Sequence, residues 1–363
     1  MTATAPDLDV PGLESYLEAR LSVEVVDTEV LHDGLNLSVA ISTAEAERYV
    51  LRRPNKLREL DSFNDVDEEF GVMGRLRETP VPAPEPILLC EDESVLDDQF
   101  LVMTHLDGEP VTLGSDLPER WQHPTAREQV AASLIDTLAD LHTVDVDPFT
   151  DVCARRPIQE AVAEIVEQFE TATSATGHEP PALRDVADWL ERNAPSEART
   201  ALVHGDYRPG NVLFEGADTP DITGVLDWET AFLGDPLTEL GYFLLRWRDD
   251  GDPTPSLDGI EARYATDDAI QTLRDRNERG LAPFTDEPGS PTRRDLVARY
   301  EDRTGIEFEH ERFYRAFAAF TLAAVWENLH RHRLAAGGDS EWEPHIDYML
   351  LVADSIADGN FGL

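Results

Sequence analysis

The sequence predicts an α+β fold with two lobes, a small antiparallel sheet followed by a mainly helical lobe. Three observations support this class. Short strand-like runs recur between residues 35 and 103, and apolar residues at helical spacing dominate most of the chain after residue 125. The chain has 363 residues, which is enough for two lobes with cores of their own. We expect the first lobe at residues 1–107 and the second at residues 108–363.

The first lobe is predicted from four strand-like runs and one helical stripe. Apolar and polar residues alternate over residues 35–42, and residues 48–52 have the character of a hairpin partner. Residues 87–90 and 100–103 are two more apolar runs of strand length. Between these pairs, apolar residues recur at helical spacing at Phe63, Val66, Phe70, Met73 and Leu76. The lobe should therefore contain an antiparallel sheet and one helix.

The second lobe is predicted from helical stripes separated by turn-rich segments. Thr125 and Glu128 have the spacing of a capping box, so a helix is expected to begin there. Residues 249–292 are rich in Asp, Gly and Pro and predict a long loop. The clearest apolar stripes run over residues 130–141, 158–169 and 313–324.

A polar motif interrupts the second lobe at residues 204–211, where the sequence is His-Gly-Asp-Tyr-Arg-Pro-Gly-Asn. Strand-prone runs flank it, so Asp206 is expected on a loop between two strands, where a side chain can face a ligand. Asp227 falls at the end of a third strand-prone run. Phosphoryl transfer of the kinase type needs one carboxylate at the attacking hydroxyl, and an amide oxygen and a second carboxylate for Mg²⁺ on ATP.

The order and spacing of these groups therefore fit an ATP-dependent kinase of small molecules. Asp206 is the candidate catalytic residue. Asn211 and Asp227 are the candidate metal ligands, because Mg²⁺ prefers a few oxygen ligands together with phosphates. His204 is expected to hold the loop in place by packing and hydrogen bonding, and Glu229 is either an aid to metal or substrate binding or a solvated carboxylate.

At these residues the chain resembles the aminoglycoside phosphotransferase-like family, which has a two-lobed protein-kinase-like fold. Within that family it is most similar to the kinase-like domains joined to acyl-CoA dehydrogenases. The motif at residues 204–211 carries the resemblance, together with Leu-Asp-Trp-Glu at 226–229, Gly-Asp-Pro-Leu at 234–237 and Leu-Gly-Tyr at 240–242. Four matching segments in one order weigh against a chance turn rich in Asp, Gly and Pro.

The resemblance also implies a phosphate clamp in the first lobe. Arg52 stands where the family usually has a lysine, and an arginine can bind phosphate bidentately. Lys56 is a rival that lies beyond Pro54 and outside the strand. Glu69 is the expected partner of Arg52, with the adjacent Glu68 as an alternative.

The same resemblance implies an adenine site between the lobes, at main-chain groups near Thr104 and Leu106. The first lobe would then bind the nucleotide, and the second would hold the catalytic loop, the metal site and the acceptor pocket. Asp235 and Glu239 are expected to brace the catalytic loop.

Two other functions stay open. The protein could be a pseudokinase that binds ATP and regulates another protein. A metal-dependent hydrolase built on His204, Asp206 and Asp227 would need more ligands than the motif supplies. The phosphate acceptor is a small molecule in the kinase interpretation, either a hydroxyacyl thioester or an amino alcohol of the aminoglycoside kind. The sequence does not predict an oligomeric state.

Charge and composition indicate the solvent conditions, the kinds of partner and the cellular compartment to expect. The chain has 74 acidic and 30 basic residues, a net charge of −44, and the acidic residues are dispersed, which indicates a surface adapted to concentrated salt. Nucleic-acid binding is not expected, because no cluster of basic residues is present. No apolar run approaches the ~20 residues that span a membrane. With no secretory signal visible and only Cys90 and Cys153, a cytoplasmic location is expected.

Overall fold

The computed structural model describes residues 10–55, 63–264, 267–338 and 340–363. The first lobe is built on a five-stranded antiparallel sheet with the strand order β1-β2-β3-β5-β4. Its strands are β1 (Val25–Asp33), β2 (Asn36–Thr43), β3 (Arg48–Pro54), β4 (Pro86–Cys90) and β5 (Phe100–Thr104).

Two helices accompany this sheet. Helix α1 (Val10–Leu21) contacts β1, and its Leu13 and Leu17 share a buried cluster with Leu37, Val39 and Ile41, the alternate apolar residues of β2. Helix α2 (Val66–Leu76) contacts β4 and β5 and also reaches the second lobe at residues 228–230. Apolar residues of α2 and β5 belong to the same buried cluster as the second lobe, so the main core crosses the boundary between the lobes.

Five short strands form two small sheets that position the polar motif. Strands β8 and β9 are an antiparallel hairpin, and β7 pairs with β10, which also pairs with β6. These strands are β6 (Arg155–Arg156), β7 (Ala201–Val203), β8 (Val212–Glu215), β9 (Asp221–Val225) and β10 (Phe232–Gly234). The motif therefore lies between β7 and β8, as predicted.

The rest of the second lobe is helical. The long helix α10 lies at its centre and packs against α4, α6 and α11. The ring centroids of Phe169 and Phe320, on α4 and α10, are 5.2 Å apart. The helices are α3 (Pro124–His142), α4 (Ile158–Thr176), α5 (Leu183–Asn193), α6 (Pro236–Leu244), α7 (Asp258–Arg263), α8 (Asp267–Arg279), α9 (Arg293–Thr304), α10 (Glu311–Ala335) and α11 (Glu343–Ala357).

The predicted α+β class with a sheet-bearing first lobe and a helical second lobe is confirmed, but two local predictions are wrong. Helix α3 begins at Pro124 and is capped by the His123 side chain, which accepts the N–H of Ala126, so Thr125 is already inside the helix. The segment 249–292 is not one long loop, because it contains α7 and α8. Within the described ranges, no helix has the length and apolar character needed to cross a bilayer.

Candidate active site

The loop at residues 204–211 is fixed by a buried carboxylate from α6. The oxygens of Glu239 accept main-chain N–H groups of His204 at 3.0 Å, Gly205 at 2.7 Å and Tyr207 at 3.3 Å. Burial acts to raise the pKa of Glu239, but hydrogen bonding and charge from His142 outweigh it and hold that pKa below its ordinary value. An ionised Glu239 thus accepts hydrogen bonds from three main-chain amides at once, as the bracing role predicted for it requires.

Gly205 allows the sharp turn of this loop. Its φ is +86°, and a Cβ built there would lie 2.4 Å from the carbonyl oxygen of Thr230. Any other residue would therefore meet both a strained backbone and a steric clash. For Asp235 the predicted bracing role is not seen, because its hydrogen-bond partners within the described chain lie outside the loop. Asp235 caps α6 by accepting the N–H of Leu237 and also accepts the Tyr314 hydroxyl at 2.5 Å.

His204 is structural, which confirms the prediction. Its Nδ1 accepts the main-chain N–H of Asp206 at 3.1 Å, and its Nε2 donates to the carbonyl of Leu226 at 2.7 Å. Both ring nitrogens are therefore used inside the protein. The imidazole connects the loop that carries Asp206 to the segment that carries Asp227.

The carboxylate of Asp206 is oriented by three donors. Its Oδ1 accepts the Tyr242 hydroxyl at 2.5 Å, and its Oδ2 accepts Arg208 Nε at 3.0 Å and Asn211 Nδ2 at 2.8 Å. Burial, together with the nearby charge of Asp206, raises the pKa of Tyr242 well above its ordinary value, so the phenol stays protonated and donates. Two oxygens can accept about four hydrogen bonds, so room for a substrate hydroxyl remains.

Asn211 and Asp227 lie at the same end of the β8–β9 hairpin. Asn211 immediately precedes β8, and its carbonyl accepts the N–H of Leu226 at 2.8 Å. Its Nδ2 bonds Asp206, and no described residue donates to its Oδ1. Asp227 follows β9 with a left-handed φ of +66° and a side chain that is 41% exposed. We call this end of the hairpin, with Asp206 beside it, the mouth of the site. An amide oxygen and a carboxylate at this mouth suit Mg²⁺ that is also bound to phosphates.

Arg52 on β3 reaches across from the first lobe to this mouth. Its guanidinium is buried among three carboxylates: Nε lies 3.3 Å from Glu69 Oε1, Nη1 donates to Asp227, and Nη2 donates to Glu229. Burial acts to lower the pKa of Arg52, but the three carboxylates outweigh it and raise that pKa well above its ordinary value.

The pKa of Asp227 shifts in the direction expected beside a guanidinium. Burial acts to raise the pKa of Asp227, whereas the charge and hydrogen bond of Arg52 lower it, and the net pKa lies below the ordinary value. Glu229 is buried and accepts Asn36 Nδ2 at 2.6 Å in addition to Arg52, so it is not a solvated surface carboxylate.

The structure brings Glu69, and not Glu68, to Arg52. Glu69 is buried, whereas the Glu68 carboxylate accepts the N–H of Asp65 at 3.1 Å and caps α2. Helical geometry explains the difference, because adjacent residues point about 100° apart around a helix. Lys56, the rival clamp, lies outside the described residues.

The two predicted adenine contacts differ in what they offer a nucleotide. Thr104 ends β5, and its main-chain N–H already donates to the carbonyl of Glu85 at 2.9 Å. Its hydroxyl accepts the N–H of Glu85. Leu106, two residues later, forms no main-chain hydrogen bond within the described chain. The Leu106 amide is therefore the donor that is free to face a base.

Sequence reasoning overlooked Tyr242 and Arg208, which contact the carboxylate of Asp206 directly. Both lie inside segments that carry the family resemblance, Arg208 within the 204–211 motif and Tyr242 at the end of Leu-Gly-Tyr. Their position in those motifs was the available signal. Within the described part of the chain, no three His, Cys, Asp or Glu side chains are grouped to hold a metal ion, so phosphates would have to complete a Mg²⁺ site at Asn211 and Asp227.

A family model and several curated proteins match this chain. The model of the phosphotransferase enzyme family matches residues 28–284. Mouse acyl-CoA dehydrogenase family member 10 is 25% identical over 337 residues, which cover 91% of this chain and 29% of that protein. Human acyl-CoA dehydrogenase family member 11 is 25% identical over 350 residues, covering 92% and 40%. The chain thus spans less than half the length of these relatives. Viomycin phosphotransferase of Streptomyces vinaceus is 26% identical over 221 residues, covering 55% and 72%.

Solved structures show the same fold. A candidate aminoglycoside phosphotransferase from Ralstonia eutropha superposes over 97% of this chain and 98% of that one, with a TM-score of 0.72 and 24% identity. A macrolide 2′-phosphotransferase from Brachybacterium faecium superposes over 96% and 98%, with a TM-score of 0.57 and 17% identity. The fold is therefore the two-lobed protein-kinase-like fold. With its family match extending from β1 past the catalytic loop, the chain belongs to the phosphotransferase enzyme family.

Proposed function

We propose that the protein is an ATP- and Mg²⁺-dependent kinase that transfers the γ-phosphate of ATP to a hydroxyl group of a small molecule. The observation that carries this proposal is the meeting of Asp206, Asn211 and Asp227 at one mouth, with Arg52 of the first lobe reaching Asp227. This arrangement supplies a carboxylate for the acceptor, oxygen ligands for a cation and a fixed positive charge for phosphates.

Asp206 would act on the acceptor hydroxyl. Its bonds to Tyr242, Arg208 and Asn211 fix the direction of its free lone pairs, so it would orient the hydroxyl and accept its proton. Because the transition state of phosphoryl transfer is mostly loose, we expect this orientation to contribute more than the removal of the proton.

Asn211 and Asp227 would hold Mg²⁺, which neutralises charge on the β- and γ-phosphates of ATP when it is bound. Arg52 would serve as the clamp on these phosphates. Its present contact with Asp227 means that nucleotide binding has to exchange a carboxylate partner for a phosphate partner. Glu69 and Glu229 would keep the guanidinium in place during that exchange.

The nucleotide would lie in the cleft between the lobes, with adenine at the segment 104–106. The free amide of Leu106 supports this placement, with Thr104 contributing its carbonyl group or its side chain. In this proposal residues 1–107 bind the nucleotide, and residues 108–363 carry the catalytic loop, the metal site and the acceptor pocket.

Two acceptor classes follow from the relatives. The similarity to acyl-CoA dehydrogenase family members supports a hydroxyacyl thioester. The similarity to viomycin phosphotransferase and the fold shared with macrolide phosphotransferases support an amino alcohol of the antibiotic kind.

The test is to incubate the protein with Mg-ATP and a metabolite extract in concentrated potassium salt, beside an Asp206→Ala control. Mass spectrometry would search for a compound that gains one phosphate with the intact protein alone. Such a compound would establish the kinase and identify its acceptor class. Failure to bind ATP would refute the proposal.

The alternative is an ATP-binding pseudokinase with a regulatory role. The contact between Arg52 and Asp227 favours it, because a guanidinium at that carboxylate competes with a cation. ATP binding without a phosphorylated product, over a broad set of alcohols, would support this alternative.

We also propose that the protein works in a salt-rich cytoplasm. Cys90 and Cys153 are both buried and free, as a reducing compartment allows, and the net charge of −44 suits concentrated salt.

A further inference from the structure

We infer that the acceptor carries an anionic group, a carboxylate or a phosphate, and that Arg246 binds it. This inference rests on the proposed kinase activity. The guanidinium of Arg246 is a buried positive charge with no negative charge beside it among the described residues. Arg246 follows α6 and is 4% exposed, yet no carboxylate of the described chain lies within ion-pair distance of it.

Other buried arginines show that this protein normally compensates such a charge. Arg52 lies among three carboxylates, Arg293 contacts Asp249 and Asp252, and Arg315 lies 3.1 Å from Glu311. In a chain with 74 acidic residues, a buried arginine without a carboxylate is unexpected. Arg127 is the other such residue among those described; it donates to the carbonyl of Pro288 at 3.1 Å and does not line the cleft beside the catalytic loop.

Arg246 lies where a substrate could use it. It lines the cleft formed by residues 111–113, the catalytic-loop residues 208–210 and residues 281–282. It also lines a small adjoining cleft with apolar walls that include Leu244, Met349 and Val352. The guanidinium therefore stands at the junction of two spaces, one of which opens directly onto the loop of Asp206.

Tyr242 connects this arginine with the catalytic carboxylate. The Tyr242 hydroxyl donates to Asp206 at 2.5 Å, while the guanidinium carbon of Arg246 lies 3.9 Å from the centre of the Tyr242 ring. One phenol thus contacts both groups, Asp206 through its hydroxyl and Arg246 through the face of its ring. An acceptor that presents a hydroxyl to Asp206 and continues along the cleft passes Arg246.

The free edge of the guanidinium suggests the chemistry of the ligand. Nη1 donates to the carbonyl of Tyr242 at 2.9 Å, whereas Nε is buried and has no hydrogen-bond partner. Nη2 donates to no described residue. Nη2 thus keeps N–H groups without a described acceptor, and a carboxylate or phosphate oxygen is the acceptor that a charged N–H group bonds most strongly. A polycationic acceptor would be repelled at the same point.

The experiment compares acceptors that differ in the charged group. The probes are 4-hydroxybutyrate, 3-hydroxypropyl phosphate, the uncharged 1,4-butanediol and the polycation kanamycin. ADP release with Mg-ATP gives KM and kcat, and calorimetric titration gives binding independently of turnover. The variants are Arg246→Gln, the conservative Arg246→Lys and the matched control Arg127→Gln.

We expect the intact protein to prefer one or both anionic alcohols to the diol. Arg246→Gln should raise KM or Kd for the anion by about 10- to 100-fold, as expected for loss of a hydrogen bond to a charged group. It should leave KM for ATP unchanged, Arg246→Lys should restore part of the affinity, and Arg127→Gln should behave as the intact protein does. Preference between the carboxylate and the phosphate identifies which group the site takes.

Equal use of the diol and the anions, or equal effects of the two glutamine variants, would overturn the inference and leave the kinase proposal intact. Binding of an anion that depends on Arg246, without any turnover, would support the inference and count against the kinase proposal. If Arg246→Gln does not fold, the discrimination between anion and diol by the intact protein decides alone.

Discussion

At the scale of single residues, Asp227 has two competing partners. It bonds Arg52 in the free protein, and it is the carboxylate proposed to hold Mg²⁺. The side chain of Arg52 is buried and bound on all sides, whereas that of Asp227 is partly exposed, so the aspartate is the partner that solvent and a cation can reach. Its depressed pKa keeps it ionised and ready for a cation at neutral pH.

We predict that Asp227→Ala lowers Mg-ATP turnover by about 100-fold or more, because charge on the phosphates is no longer neutralised at the right place. ADP release at saturating acceptor measures the effect. Glu68→Ala is the matched control, since it removes a carboxylate that caps α2 and lies outside the contacts of Arg52, and it should change turnover little. Near-normal turnover in Asp227→Ala would rule out the metal assignment.

A second residue-scale prediction concerns Gly205. Gly205→Ala should destabilise the protein by about 1–3 kcal/mol and impair turnover, because its positive φ and its contact with Thr230 both disfavour a Cβ. Gly177→Ala is the control: Gly177 also has a positive φ, of +78°, but a Cβ added there would have no neighbouring atom within 4 Å. Urea unfolding and turnover would be measured for both. A control that loses as much activity as Gly205→Ala would show that the loop contact is unimportant.

At the scale of elements, a buried histidine joins two helices. His178 Nδ1 lies 2.6 Å from Glu327 of α10, and its Nε2 lies 3.2 Å from Asp347 of α11. Burial opposes the protonation of His178, but hydrogen bonds to Asp347 and Glu327 outweigh it and raise the pKa of His178 to about 9.

The sign of the pH dependence follows. The unfolded chain has the ordinary histidine pKa, so protonation of His178 stabilises the folded state. This stabilisation is complete below pH ~6.5 and is lost as pH rises through about 9. We predict that the intact protein loses up to about 3 kcal/mol of stability across this window relative to His178→Asn. Denaturant unfolding at closely spaced pH values measures the difference. Parallel stability curves for the two proteins would contradict the prediction.

The elements also show which features a sequence can predict. Seven strands and the loop of Asp206 were predictable, because alternation and turn residues are local signals, whereas β1, β6 and β10 were not predicted. Helices α7 and α8 were hidden by a composition rich in Asp, Gly and Pro. The cap at His123 was missed because histidine is not among the residues that usually cap a helix, although Pro124 suits the first helical position. The acidic network around Arg52 was only half visible, because burial of Glu229 depends on packing between distant segments.

At the scale of the whole molecule, the net charge determines how folding depends on salt. A net charge of −44 produces self-repulsion that water at low ionic strength does not screen, since the Debye length is about 10 Å at 0.1 M salt and about 3 Å at 1 M. We predict that the protein loses structure in 50 mM salt, which is a low-salt condition by this measure, and recovers it in molar KCl. Circular dichroism measures this, with sucrose of matched osmolality as the control. Full folding in 50 mM salt would contradict the prediction.

The buried cluster that crosses between the lobes has a consequence for cooperativity. Val72 and Met73 of α2 and Leu101 of β5 share that cluster with the centre of the helical lobe, while Arg52 adds charged bonds across the same boundary. Exposing one lobe would therefore strip apolar cover from the other. The two lobes should melt together, in a single calorimetric transition whose van't Hoff and calorimetric enthalpies agree.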